Sequence, residues 1–117
     1  MTEPDPLTRE SEPGPLVLLL GREALVLADR LMASGYATHA GVEVAGGVPA
    51  AALVAPDAID QVALLRDRFG SMPILIGVSD DTIEAREACF NCGADDFWFT
   101  CSGASDLLQR LRLHLTI

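Results

Sequence analysis

The sequence predicts a single α/β domain built on a doubly wound, five-stranded parallel sheet with helices on both faces. Three observations predict it. Short, uninterrupted apolar runs recur along the chain, the pattern of strands buried on both faces. Segments of helical periodicity closed by glycine lie between most of them. The 117 residues, 50% of them hydrophobic, give room for one core and material to fill it.

The elements follow in order. Residues 1–14 combine Pro, Glu, Asp, Ser and Thr with almost no apolar content and read as a flexible tail, because they bury too little to offset the entropy of ordering. This leaves residues 15–117 as the folded domain. The run Leu16-Val-Leu-Leu-Leu20 is the first strand, and Gly21 closes it. A helix is expected over residues 22–34, where Leu25, Ala28, Leu31 and Met32 recur at helical spacing before Gly35. Residues 37–44 read as a weak second strand. Gly46, Gly47 and Pro49 follow, so the second helix is short or missing. The third strand spans residues 51–55 and stops at Pro56, which cannot donate to a central ladder.

Residues 57–69 carry Ile59, Val62, Leu64 and Leu65 and read as a helix, with Gly70 beyond its end. Pro73 opens a fourth strand over residues 74–78. A helix follows from about residue 81 to residue 91, capped by Gly93. Phe97-Trp-Phe99 is the fifth strand, and a last helix runs from residue 105 or 106 to residue 115. Parallel strands alternating with crossover helices favour the flavodoxin-like order 2-1-3-4-5.

Composition excludes several functions. A formal net charge of -9 gives no electrostatic footprint for DNA or RNA within these residues. The longest strongly apolar stretch, residues 16–20, is far shorter than the roughly 20 residues a membrane span requires. Cys89, Cys92 and Cys101 form an odd set with no charged-then-apolar leader before them, so a cytoplasmic protein is expected and a disulfide framework is not. Cys89-x-x-Cys92 lies near a helix C-terminus, where the dipole disfavours a thiolate, and His39 and His114 are isolated. Buried or half-buried thiols are the expected outcome, with no metal or cofactor. There is no Gly-rich phosphate loop and no Ser/His/Asp or Cys/His arrangement, so no enzyme activity is expected.

The stretch PILIGVSDDTIEAREACFNCGADDFWFT, residues 73–100, resembles the C-terminal half of response-regulator receiver domains of the CheY-like family. Gly93-Ala-Asp-Asp-Phe97 is its most specific piece, and the similarity extends over residues 15–117. Such domains accept a phosphoryl group on an aspartate ending the third strand. That chemistry needs Mg²⁺ held by carboxylates and a cation near the developing charge. The resemblance places Asp57 at the phosphoacceptor position. It also places departures at the supporting positions. Leu20 and Gly21, or Leu18 and Leu19 on a stricter count, stand where two acids belong. Val78 stands where a Thr or Ser belongs, with Ser79 beside it, Thr100 replaces the lysine and Cys101 the proline after it. The Thr100-Cys101 bond is expected to be trans, since cis costs about 2.5 to 4 kcal/mol without proline, and the loop after it to be rearranged.

Asp57 therefore has two readings: a phosphoacceptor, or an N-cap of the helix that follows Pro56, which is the favoured one. A phosphoryl group there would lack counter-charge. Phe97 matches the family's switch aromatic, and it is expected to pack permanently inward on Val78.

The resemblance is closest to the OmpR/PhoB type, whose receiver domains pair symmetrically through the fourth helix, fifth strand and fifth helix. Arg86 and Asp106 match one interchain ion pair, and Asp96 and Arg110 a second. Phe90 and Leu108 match apolar patch positions, Glu87 departs from the pattern, and Asp95 is counted with this face. Trp98, pointing away from Phe97 and Phe99, is expected either at this face or under the last helix. The resemblance implies an atypical receiver domain. It would act through homodimerisation as the regulatory part of a transcription factor, with a DNA-binding domain beyond these residues. Alternatives are a phosphorylatable domain using Asp57, and a monomeric adaptor.

Overall fold

The computed structural model describes residues 14–44, 48–79, 82–101 and 104–115. The reading of residues 1–14 as a tail thus falls almost wholly outside the described residues. The elements are β1 (Leu16–Leu20), α1 (Arg22–Leu25), α2 (Ala28–Ala33), β2 (Ala37–Ala40), β3 (Ala51–Val54), a 3-10 segment (Pro56–Gln61), α3 (Val62–Phe69), β4 (Ile74–Val78), α4 (Ile83–Asn91), β5 (Asp96–Phe99) and α5 (Ala104–Leu115). All strand pairings are parallel, in the order β2-β1-β3-β4-β5. This is the fold class the sequence predicts. Among the described residues, no helix separates β2 from β3.

Two-sided burial explains the apolar runs. Leu18 and Leu20 join Ala52, Val54, Ile74 and Ile76 in one cluster, covered by Val62 and Leu65 of α3 and Cys89 of α4. Val17 and Leu19 join Ala51, Leu53 and Leu75 in the other, covered by Ala24 of α1, Leu31 of α2, and Leu107 and Leu111 of α5. A central strand of such a sheet has no solvent face, so alternation is lost and every position is apolar.

Three elements depart from expectation by more than a residue or two at their ends. The helix expected over residues 22–34 is two pieces, with Val26 as the C-cap of α1 and Leu27 as the N-cap of α2. Its inner face is Ala24-Leu27-Ala28-Leu31: Ala28 and Leu31 face inward as the spacing indicated, whereas Leu25 and Met32 are exposed and Ala24 and Leu27 take their places. β2 stops at Ala40, because Gly41 has φ +92°, a conformation that leaves the extended region. The first turns after Pro56 are a 3-10 segment broken at Ala58 (φ -120°, ψ 16°), and this turns Ile59 outward.

Two side chains lock the sheet to its helices. Trp98 is 2% exposed beneath α5, so of its two expected positions the structure selects the covered one. Gly77 makes this possible: a Cβ there would lie 2.8 Å from the indole ring and 2.8 Å from Thr100 Cγ2. At the opposite end of the strands, the Arg66 guanidinium on α3 donates to the carbonyls of Gly93, Gly70 and Met72 and to Asp95 Oδ2 at 2.6 Å. It joins the end of α3, the approach to β4 and the loop after α4.

Candidate functional site

In open α/β sheets, chemistry gathers at the carboxyl ends of the strands. Here those ends bring together Gly21 after β1, Asp57 after β3, Val78 at the end of β4 and Thr100 after β5. Gly21 has φ +92°, and a Cβ on it would fall 2.4 Å from Asp57 Oδ1 and 2.6 Å from Ala55 Cβ. Only glycine fits. The Arg22 backbone N–H donates to both carboxylate oxygens of Asp57, at 3.2 and 3.3 Å.

Asp57 thus caps a helix, but not the one expected. The N-cap of its own 3-10 segment is Ala55, extended and without a side-chain hydrogen bond, and Asp57 sits inside the first turn. Pro56 leads the chain off β3, which ends at Val54, so the aspartate is exposed past the strand instead of terminating it. Its carboxylate then meets the nearest unsatisfied donor, the first N–H of α1.

The supporting positions offer no substitute charge. Leu20 is buried, and Val78 is buried in the same cluster as Phe97. Thr100 closes the β4–β5 ladder: its N–H donates to the Val78 carbonyl at 2.9 Å and its hydroxyl to the same oxygen at 3.4 Å. All eight basic residues of the chain are arginines, so no lysine can stand in from elsewhere in these residues. Among the described residues, no group of three or more His, Cys, Asp or Glu side chains could hold a metal ion. The Mg²⁺ that the resemblance implies therefore does not fit the described residues. An apolar cavity of about 340 Å³ lies at the ends of β1 and β2, bordered by Leu20, Gly21, Leu25, Gly41 and Gln61.

The second candidate region is the α4–β5–α5 face. Phe97 is buried and contacts Phe90 and Phe99 edge-on, at ring separations of 6.1 and 5.4 Å. The guanidinium of Arg86 lies 5.6 Å from its ring centroid and that of Arg110 4.9 Å, two cation–π contacts from two helices. Arg110 bonds Asp96 at 2.8 Å and Asp106 at 3.0 Å, and His114 Nε2 lies 3.0 Å from the second Asp96 oxygen. Both acids support the charged form of Arg110 against the opposing effect of burial. The pairs expected between chains are thus partly made within one. Phe90 is 47% exposed on this face and Leu108 is half-buried against α5's core side. Asp95 does not join them. Its Oδ2 accepts from Arg66 at 2.6 Å and from the Ile74 N–H at 2.8 Å, at the amino end of the sheet.

The cysteines are free thiols, but only Cys89 is buried, Cys92 is half-buried and Cys101 is exposed, contrary to the expectation for the last. Burial, with Cys92 and Asp96 nearby, pushes the Cys89 pKa up to about 11, so it is a neutral thiol donating to the Asp96 carbonyl at 3.4 Å. The Cys92 thiol donates to the Cys89 carbonyl at 3.0 Å. Sequence reasoning missed Arg66 and His114. Nothing local marks Arg66 among the charges of its helix, whereas His114 stands one helical turn after Arg110, a spacing that could have drawn attention to it.

No protein-family model and no curated protein matches the sequence. Solved structures do resemble the fold. The non-phosphorylated HemR receiver domain from Leptospira biflexa superposes with a TM-score of 0.70 at 19% identity, covering 88% of this chain and 95% of that one. The chemotaxis protein CheY4 of Vibrio cholerae gives 0.72 at 14% identity, covering 87% and 99%. An orphan response regulator of H. pylori gives 0.66 at 18% identity, covering 89% and 99%. With the strand order β2-β1-β3-β4-β5, these superpositions establish the fold of this chain as that of CheY-like response-regulator receiver domains.

Proposed function

We propose that this chain is an atypical receiver-type signalling module that works through protein contacts and is not switched by ordinary phosphoryl transfer to Asp57. The observation that carries this reading is the Asp57 carboxylate spent on the Arg22 N–H, against a glycine, with neither acid nor lysine at positions 20, 21, 78 and 100. Phosphoryl transfer is mostly positioning and charge neutralisation, so a site without metal ligands or cation gives a poorly stabilised phosphoaspartate. The resemblance of the Arg86, Asp96, Asp106 and Arg110 positions to the OmpR/PhoB pairing pattern supports homodimerisation through α4, β5 and α5. It also supports the regulatory part of a transcription factor, with the DNA-binding segment outside these residues. Incubation with acetyl phosphate and Mg²⁺ followed by intact-mass measurement tests the reading. Unmodified protein is expected, and a stoichiometric adduct lost in Asp57→Ala would overturn it.

A second reading, a monomeric adaptor, is favoured by the ion pairs that Arg110 already makes in cis with Asp96 and Asp106. Sedimentation of the chain separates the two. A concentration-dependent dimer weakened by Arg110→Ala supports self-pairing, whereas a monomer throughout supports the adaptor.

A further inference from the structure

We propose that the cleft between the 3-10 segment and α4 is a docking site for a basic amphipathic helix of a partner protein, which inserts one large apolar side chain. The cleft shares α4 with the proposed self-pairing face, but none of the residues lining it is one of the pairing residues Arg86, Phe90, Asp96, Asp106, Leu108 or Arg110.

The cleft has a volume of about 250 Å³, with Ile76 and Val78 as its floor, Ile59 on one wall and Ala85, Ala88 and Cys89 on the other. It exists because α4 lines this side with alanines. Cys89 is the buried residue of that helix, and the methyl groups of Ala85 and Ala88 are too short to reach the 3-10 segment. The break at Ala58 holds Ile59 at the rim, 39% exposed, and Ile83 stands 70% exposed at the start of α4. Interiors are close-packed, so an open apolar space over core strands leaves contacts unmade that an inserted group would supply.

Size and chemistry select the occupant. Pockets for drug-sized molecules run from about 300 to 1,000 Å³, so this cleft is scaled to a single large side chain. Two of its polar side chains are engaged: Thr82 Oγ1 accepts the Ala85 N–H at 3.0 Å, and the Cys89 thiol donates to the Asp96 carbonyl. A polar metabolite would gain little there. The rim is acidic. Asp60 follows Ile59 on the 3-10 side and Glu84 precedes Ala85 on the helix, both exposed. Arg86, the arginine of α4, has its guanidinium over Phe97 on the β5 side. An apolar anchor with flanking Lys or Arg, presented on a helix, matches both the floor and the rim, and a chain of net charge -9 attracts such a partner at long range.

The test is an amide-shift titration of the full ¹⁵N-labelled chain with a synthetic peptide. The peptide is a helix of about 16 residues with Trp and Leu at i, i+3, i+4 and i+7 and Lys elsewhere, set against a twin bearing Glu for Lys. Shifts centred on Ile59, Ile76, Val78, Ala85 and Ala88 are expected with the Lys peptide only. Ala85→Leu, which fills the cleft, should weaken binding about tenfold or more. The surface pair Asp60→Asn with Glu84→Gln, which leaves the core untouched, should weaken it about threefold or more. Shifts spread evenly over the acidic surface, equal binding of the Glu peptide, or unchanged affinity in both variants would overturn the proposal.

Discussion

The Asp57 carboxylate and the Arg22 backbone, 35 residues apart, meet through two hydrogen bonds of 3.2 and 3.3 Å across the space that the absent side chain of Gly21 leaves open. The aspartate that the sequence resemblance places at the phosphoacceptor position is here the cap of the helix after β1. Helix caps are ordinary structural devices, so the loss of Asp57 should be felt as stability.

Asp57→Ala should therefore lower the unfolding free energy by about 0.5 to 2 kcal/mol, the usual cost of removing a cap, at the lower end because the site is exposed. Asp57→Asn, which keeps an acceptor oxygen, should cost less. Urea unfolding of the two variants checks this, and equal losses would argue against the cap.

Gly21→Ala should cost about 1 to 3 kcal/mol, because it combines a positive φ with a Cβ driven against Asp57 and Ala55. The same measurement reads it. A variant as stable as the parent would show that Asp57 does not hold its position over Gly21.

Gly77→Ala should displace the Trp98 ring, since the added methyl falls 2.8 Å from it. Overpacking of this kind costs about 1 to 3 kcal/mol. A red shift of tryptophan fluorescence should accompany the loss, and unchanged emission would contradict the close approach.

Much of this architecture was legible in the sequence, and the reasons are physical. Leu16–Leu20 and Ile74–Val78 read as central strands because two-sided burial leaves no polar positions, and Gly21, Gly35, Gly70 and Gly93 mark where a strand or helix ends. Long-range pairing was not legible. Arg66 looks like any solvated helix charge until the fold delivers Gly93, Met72 and Asp95 to it, and the partner of Asp57 is a backbone group with no sequence signature. The same holds for the inner face of α1 and α2, whose phase was set by a break at residues 26–27 that no glycine or proline announces.

Arg66→Ala should be among the more damaging single changes outside the core, at about 2 to 4 kcal/mol, since three carbonyls and a carboxylate lose a charged donor together. Arg66→Lys should recover little, because an ammonium cannot reproduce the fork. Full recovery by lysine would show that charge alone matters there.

Alkaline pH supplies an independent check of Cys89. Its folded pKa of about 11 lies above the ordinary 9.0, so the folded state holds a proton that the unfolded chain releases. That contribution is fully present below pH 9 and is lost as pH rises from about 9 toward 11. Cys89→Ser or Cys89→Ala should flatten this decline. Iodoacetamide should modify the exposed Cys101 well before Cys89 in the native protein, and early labelling of Cys89 would contradict its burial.

Beryllofluoride with Mg²⁺, which forms an acyl-phosphate mimic only where a carboxylate, a metal and a cation converge, tests the inert-aspartate reading most directly. An amide spectrum of the ¹⁵N-labelled chain that stays unchanged at Gly21, Asp57, Val78 and Thr100 is the predicted result. Saturable shifts at those residues, abolished by Asp57→Ala, would contradict it.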